Sequence, residues 1–156
     1  MTSAISDSGV TVRPATDADL EPVLVLLMHG SLVEVKEDPL DLAPYREALA
    51  DIGRCPGGVL VAEVGELVVG VCQLIVFRHL QSRGGLCAEI ESVHVHPEHR
   101  GSGIGSALLR HAIDRARGLG CYRVQLTSNV VRGDAHRFYE RLGFTPSHLG
   151  FKLPLR

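Results

Sequence analysis

A chain of 156 residues with 45% apolar and 22% charged side chains has the size and composition of one domain with a buried core. The net charge of −2 argues against a nucleic-acid binder held by phosphate contacts, and the longest apolar run, residues 23–28, is far short of the ~20 residues that cross a bilayer. No basic-then-apolar leader stands at the start, so we expect a cytoplasmic protein with neither membrane nor nucleic acid as a partner.

Residues 1–9 are small and polar and read as a frayed tail on a single domain spanning 1–156. A short strand over 9–13 leads to Thr16, which caps a helix with Asp17 and Asp19 in its first turn. Leu20, Val23, Leu24 and Leu27 then recur at helical spacing. Residues 31–42, acidic and carrying Pro39, read as a loop before a second helix over 44–51, which Gly53, Pro56, Gly57 and Gly58 end. Strands over 59–64 and 67–77, joined at Gly65 and Glu66, predict an antiparallel hairpin. A polar loop over 78–85 precedes a strand over 86–95. Ile104, Leu108, Ala112, Ala116 and Leu119 share one stripe of a helix over 104–119, ended by Gly118 and Gly120. A strand over 121–127, a helix over 134–142 closed by Gly143, and final sheet residues at Phe144 and 148–153 complete the order β-α-α-β-β-β-α-β-α-β, which predicts a mixed α/β sheet.

Cys55, Cys72, Cys87 and Cys121 include no C-x-x-C pair, and three lie in apolar strand-like segments. They read as free buried thiols of a reducing compartment rather than disulfides or zinc ligands.

The chemistry concentrates at residues 93–106, V-H-V-H-P-E-H-R-G-S-G-I-G-S, where a strand enters a glycine-rich turn that opens a helix. Backbone N–H groups at a helix start lack partners and sit at the positive end of the dipole, so such a turn binds phosphate oxygens. Arg100 adds a planar fork of donors. A dinucleotide-binding turn is the rival reading. Gly101-x-Gly103-x-x-Ser106 only approximates its pattern, and residues 125–129, Q-L-T-S-N, lack the acidic residue expected on the next strand.

Arg100-Gly101-Ser102-Gly103-Ile104-Gly105 resembles the R/Q-x-x-G-x-G/A motif of the GNAT superfamily of N-acetyltransferases. Residues 93–97 resemble the strand that family places before it, and residues 134–144, D-A-H-R-F-Y-E-R-L-G-F, its second motif. The resemblance implies a mixed, mostly antiparallel sheet flanked by helices, with two parallel strands splayed into an acetyl-CoA cleft. It also implies an acetyl-CoA-dependent N-acetyltransferase. Carried over, the strand at Val93, His94 and Val95 pairs with the pantetheine arm. The pyrophosphate sits on the turn of Arg100, Gly101, Ser102, Gly103, Ile104, Gly105 and Ser106, and Asn129 contacts the pantetheine.

Acetyl transfer to an amine needs a base for the incoming ammonium and an acid or hydrogen-bond donor for the departing thiolate. Tyr139 matches the family's acid position. It lies about 100° round the helix from the core-facing Phe138 and Leu142, so its hydroxyl is free to reach a cleft. Glu89 and Glu91 are the candidate bases. Strand alternation puts them on the face of Val93 and Val95, opposite His94 and His96. The family favours Glu89. His94, His96 and His99 have no acidic or cysteine partner at zinc spacing, so no metal is expected. His136 reads as a solvated histidine.

For the acceptor, residues 34–38, E-V-K-E-D, lie where the family builds its substrate wall, although a solvated charged loop is the default for such a run. The region from Leu126 to His148 is similar to aminoalkylphosphonate N-acetyltransferases, which implies a small-molecule amine bearing an anionic group, with Arg132 or Arg78 as its partner. Protein N-termini or lysines, an antibiotic amine, and a non-catalytic acetyl-CoA sensor are the alternatives, and a homodimer is the candidate assembly.

Overall fold

The computed structural model of the chain describes residues 9–32 and 36–155. Residues 1–8 of the frayed tail read at 1–9, and Glu34 and Val35 of the acidic segment, lie outside the described residues.

The elements follow the expected order up to the last helix. Strand β1 (Val10–Pro14) and a 3-10 turn (Asp17–Asp19) precede α1 (Leu20–Gly30) and α2 (Ala43–Ile52). The strands β2 (Gly58–Val64), β3 (Leu67–Arg78) and β4 (Leu86–Val95) follow, with one short turn, α3 (Gln81–Gly84), between the last two. Then come α4 (Ile104–Gly118), β5 (Cys121–Leu126) and α5 (Gly133–Arg141). Among the described residues the sheet has five strands in the order β1-β2-β3-β4-β5, antiparallel except for the parallel pair β4–β5. Parallel neighbours need a crossover, and α4 provides it.

Strand alternation splits the core in two. Leu60 and Ala62 of β2 face α4, whose Ile104, Leu108, Leu109, Ala112 and Ala116 are almost wholly buried against that side. Val61 between them faces α1, packing with Val23, Leu26 and Val71. The polar loop expected between β3 and β4 is a tight left-handed turn, with Ser82 at φ 52°, Arg83 at φ 59° and Gly84 at φ 74°. Arg78 Nη1 donates to the Gly84 carbonyl at 2.6 Å and closes it.

Two expectations fail. Residues 148–153 form no strand, so the sheet ends at β5. Phe144 packs back onto the α4 core beside Tyr139, while Pro146, Gly150 and Pro154 interrupt the stretch that follows. The four thiols are free, but Cys55 is exposed in the loop after α2 rather than buried.

The entry into α1 is fixed by a buried acid. The Thr16 N–H donates to Asp19 Oδ2 at 2.7 Å, and Arg13 grips both Asp19 oxygens at 2.7 and 2.8 Å while also reaching Glu63 of β2. The Arg13 guanidinium, with the Thr16 hydrogen bonds, lowers the Asp19 carboxyl to about 2, against the opposing cost of burial. A carboxyl depressed on folding contributes stability above its unfolded value near 3.8 and loses it as pH falls through about 2. We therefore expect Asp19→Asn to cost about 2 kcal/mol at pH 7 in urea unfolding, at 1.36 kcal/mol per unit. The difference from wild type should close as the pH approaches 2.

Candidate active site

The site begins where β4 and β5 part. Their pairing runs from Leu86↔Cys121 to Ile90↔Leu126, and there β5 ends. Among the described residues, strand β4 continues through residues 91–95 with only β3 beside it, so its outer backbone N–H and C=O groups in that stretch face a cleft.

A bulge interrupts β4 at the same place. Gln73 pairs with Glu91 but Val71 with His94, so Cys72 opposes two residues, and Ser92 takes a left-handed φ of 52°. One extra residue reverses the alternation beyond it. Ala88, Ile90, Val93 and Val95 therefore all join the core on the α4 side. Glu89, Glu91 and His94 face the α1 side. The sequence expectation that the two glutamates share a face with Val93 and Val95, opposite His94, is corrected here. The bulge carries the carboxylates and His94 to one wall.

Below the bulge lies the glycine turn. Gly101 (φ 77°) and Gly103 (φ 85°) hold left-handed conformations, and Gly103 is the N-cap of α4, which has no side-chain cap. A Cβ on either would meet nothing within 4 Å, so the turn presents bare backbone to open space. The first-turn amides of α4, from Ile104 to Ser106, have no intrahelical acceptor. Ser102 Oγ donates to the His99 carbonyl at 2.6 Å and fixes the turn. Arg100 Nε donates to the Val95 carbonyl at 3.1 Å, which ties the guanidinium to the end of β4. Gly105 serves a different need. A Cβ there would stand 3.2 Å from the Phe138 ring, so its smallness lets α4 approach α5.

Helix α5 brings Tyr139 to the α4 side of the cleft. Its ring packs against Phe138 and, edge-on, against Phe144. Burial is the main cause raising its pKa, so the hydroxyl is protonated at neutral pH. The ring is half-buried, and no buried side-chain oxygen among the described residues lacks a partner, so this hydroxyl is not sealed in the core. Across β4, Gln125 Nε2 donates to Glu89 Oε2 at 3.0 Å. Burial, then hydrogen bonding and repulsion from Glu89, raises Glu91 above the ordinary carboxyl range, while Lys152 opposes the shift. Glu89 and Glu91 thus stand as neighbouring carboxyls on one face of β4.

His94 is pressed onto the end of α1, where a Cβ on Gly30 would fall 1.7 Å from its Nδ1. Burial, then the charges of Arg132 and Arg100, keeps this imidazole neutral. Arg132, half-buried at the N-cap of α5, donates to the Gly30 carbonyl and so ties the start of α5 to the end of α1. Asn129 orders the loop beneath, its Oδ1 accepting from the Val131 N–H at 3.1 Å and its carbonyl meeting His136 Nε2 at 2.9 Å. Arg78 is occupied in the β3–β4 turn, away from this group. The rings of His29, His96 and His99 lie in a row 5.7 and 5.8 Å apart. Among the described residues no three His, Cys, Asp or Glu side chains form a metal-holding group.

On the α1 side, a mainly apolar cavity of about 180 Å³ lies under α2, lined by Leu20, Val23, Leu27, Tyr45, Gln73 and Ser92 among others. Helix α2 buries none of its own residues, which leaves this space beneath it. Gln125, Lys152 and Gly30 entered the site without sequence warning. Each gains its role from a contact distant in the chain.

The GNAT acetyltransferase family matches residues 26–144. An aminoalkylphosphonate N-acetyltransferase of Salmonella typhimurium is 35% identical over 142 residues, 90% of this chain and 88% of that protein. A glucosamine 6-phosphate N-acetyltransferase of Trypanosoma brucei brucei is 28% identical over 74% of this chain and 90% of its own length. A crystal structure of a Bacillus halodurans C-125 protein, described as a transcriptional regulator, superposes with a TM-score of 0.85 at 40% identity over 94% of this chain and 99% of that one. The chain belongs to the GNAT family and is an acetyl-CoA-dependent N-acetyltransferase.

Proposed function

We propose that the chain moves the acetyl group of acetyl-CoA directly to the primary amine of a small molecule that carries an anionic group. One observation carries the reading: a protonated Tyr139 on one side of the open stretch of β4, and the Glu89–Glu91 pair on the other. The bare glycine turn fits a pyrophosphate, and Val93, His94 and Val95 offer backbone groups along the cleft. Acetyl-CoA supplies an acyl group activated by a thiolate leaving group.

Glu91, assisted by Glu89, takes a proton from the bound ammonium. The free amine forms the new C–N bond, and a backbone N–H of β4 steadies the oxyanion. Tyr139 donates its hydroxyl hydrogen to the sulfur as the C–S bond breaks, and the second proton of the attacking nitrogen, released as the amide forms, restores the Tyr139 hydroxyl. Burial pushes the Cys72 thiol up to about 12, so it stays protonated and offers no acyl-accepting thiolate, which supports direct transfer. The amine's anionic group is read from Arg132 at the start of α5, and from relatives named for a phosphonate and a phosphate substrate.

A panel of small amines, with and without a phosphonate, phosphate or carboxylate, tests this. Anionic amines should be preferred, and Arg132→Gln should raise their KM at least tenfold with kcat nearly kept. A base works only when ionised, so the rate should rise with pH through the elevated Glu91 pKa. Glu91→Gln should remove that limb. Glu89→Gln should shift it to lower pH, because Glu91 then loses a neighbouring charge. Wild-type pH profiles in both single variants and the double variant would assign deprotonation to bulk water.

A further inference from the structure

The cavity under α2 adjoins the carboxylates, and its walls favour hydrocarbon. Tyr45, Ala48, Leu49 and Ile52 recur at helical spacing on α2 and all line it, yet none of them is buried. A stripe of that spacing normally seals against the core. Here α2 stands off the sheet, tied near its start by the ion pair of Arg46 with Asp17 at 2.8 Å. The polar groups in the walls have partners of their own. Asp19 is held by Arg13 and Thr16. The Tyr45 hydroxyl accepts from the Asp38 N–H and donates to the Glu37 carboxylate, each at 2.9 Å. What remains is a mainly apolar surface around about 180 Å³. A dry apolar cavity of about 150 Å³ is enough to hold a benzene ring.

The floor of this cavity is the sheet next to the proposed base. Gln73 and Ser92 both line it. Gln73 is the direct partner of Glu91 across β3 and β4, so their Cβ atoms lie on one face about 5 Å apart. Ser92 follows Glu91 in the chain and is exposed to solvent, so this part of the wall is not sealed. On α1 the cavity borders Leu20, Val23, Leu24 and Leu27, whereas Arg132 meets the same helix beyond them, at Gly30.

We infer that the cavity seats a hydrocarbon side chain of the acceptor, so the preferred substrate is a primary amine bearing a branched alkyl or phenyl group of roughly four to seven carbons. The inference rests on the reading of Glu91 as the group that meets the ammonium. With the nitrogen at Glu91, a substituent two or three bonds away arrives at Gln73, the near wall of the cavity. The amine of a sugar would bring hydroxyls to walls whose own polar groups are already engaged, and leave them without partners.

Two matched series test this: 1-aminoalkylphosphonates, and the plain primary amines with the same side chains. The side chain runs from methyl through isopropyl and isobutyl to benzyl and naphthylmethyl. Burial of a methylene is worth about fourfold, so kcat/KM should rise roughly 60-fold from methyl to isobutyl. It should stay high at benzyl and fall at naphthylmethyl, which exceeds the cavity. Ala48→Phe, made at an exposed position of α2, puts a ring into the space and should bring the isobutyl-to-methyl ratio close to unity. Leu49→Ala widens the space and should move the optimum to naphthylmethyl. A kcat/KM independent of side-chain size in the unaltered enzyme, with either series acetylated, overturns the inference and leaves the small-amine reading standing. Acetylation of neither series by protein that binds acetyl-CoA overturns that reading and the inference with it. The size effect in both series with no gain from the phosphonate supports the cavity and removes only the anionic group. Should Ala48→Phe fail to fold, the size series on the unaltered enzyme and on Leu49→Ala decides.

Discussion

Gly103→Val should give a folded protein that has lost its grip on acetyl-CoA. Gly103 holds φ 85° at the N-cap of α4, a conformation that costs an L-residue roughly 1–2 kcal/mol and suits a β-branched one worst. The new side chain would meet no atom of the protein within 4 Å of its Cβ, so the strain in the turn is the whole structural penalty. A fall of several degrees in Tm is the expected size for a domain of this length. The ligand suffers more. The valine methyls would occupy the space that the proposed pyrophosphate needs, holding it away from the first-turn amides of α4. We expect the Kd for CoA, measured by isothermal titration, to rise at least 100-fold, a loss of about 2.7 kcal/mol. Gly118→Ala is the control. Gly118 lies in the last turn of the same helix, with ordinary backbone and open space around it, and alanine there should leave binding unchanged. Wild-type affinity in a folded Gly103→Val protein would take the turn out of the binding site.

Tyr139→Phe should slow the chemical step about 100-fold, the low end for general acid catalysis. A thiol with a pKa near 8.5 leaves moderately well unaided, so the acid helps without being indispensable. The substitution removes one oxygen and keeps the ring between Phe138 and Phe144, so stability should change little. Acetyl-CoA affinity should persist, because the proposed seat of the pyrophosphate is the glycine turn and not the Tyr139 hydroxyl. Lower kcat at unchanged KM would mark an interaction made chiefly in the transition state. Product release can mask that signature, so the decisive measurement is the single-turnover rate. A wild-type single-turnover rate would leave Tyr139 as a packing residue.

Local signals carried the reading of this chain a long way. The alternation of 86–95 gave the limits of β4, the stripe from Ile104 to Ala116 gave α4, and Thr16 with Asp19 marked the entry to α1. Each depends on neighbours a few residues away. The bulge at Ser92 had no such signal, since one serine inside an otherwise apolar strand does not mark a break and the irregularity exists only against Cys72 on another strand. The contact of Arg132 with Gly30 spans 102 positions, and nothing in either local stretch announces it. The segment 148–153 failed in the opposite direction. Its apolar alternation is sound local evidence for a strand, but a strand exists only when it pairs, and this segment does not pair with the β5 edge.

The left-handed residue in β4 sets the parity of the whole site. In a regular strand, fixing one side chain fixes the orientation of every other by odd and even count. Ser92 resets that count, so the carboxylates before it and the cleft-lining residues after it answer to separate registers. Residues on either side can then be exchanged without re-aiming the other group, as long as the bulge between Ile90 and Val93 is kept. Flattening it with every residue retained, by forcing Ser92 into an extended conformation, would turn Val93 and Val95 out of the core and His94 into it. In this strand, the backbone conformation at a single point specifies the geometry as strongly as the identity of any residue.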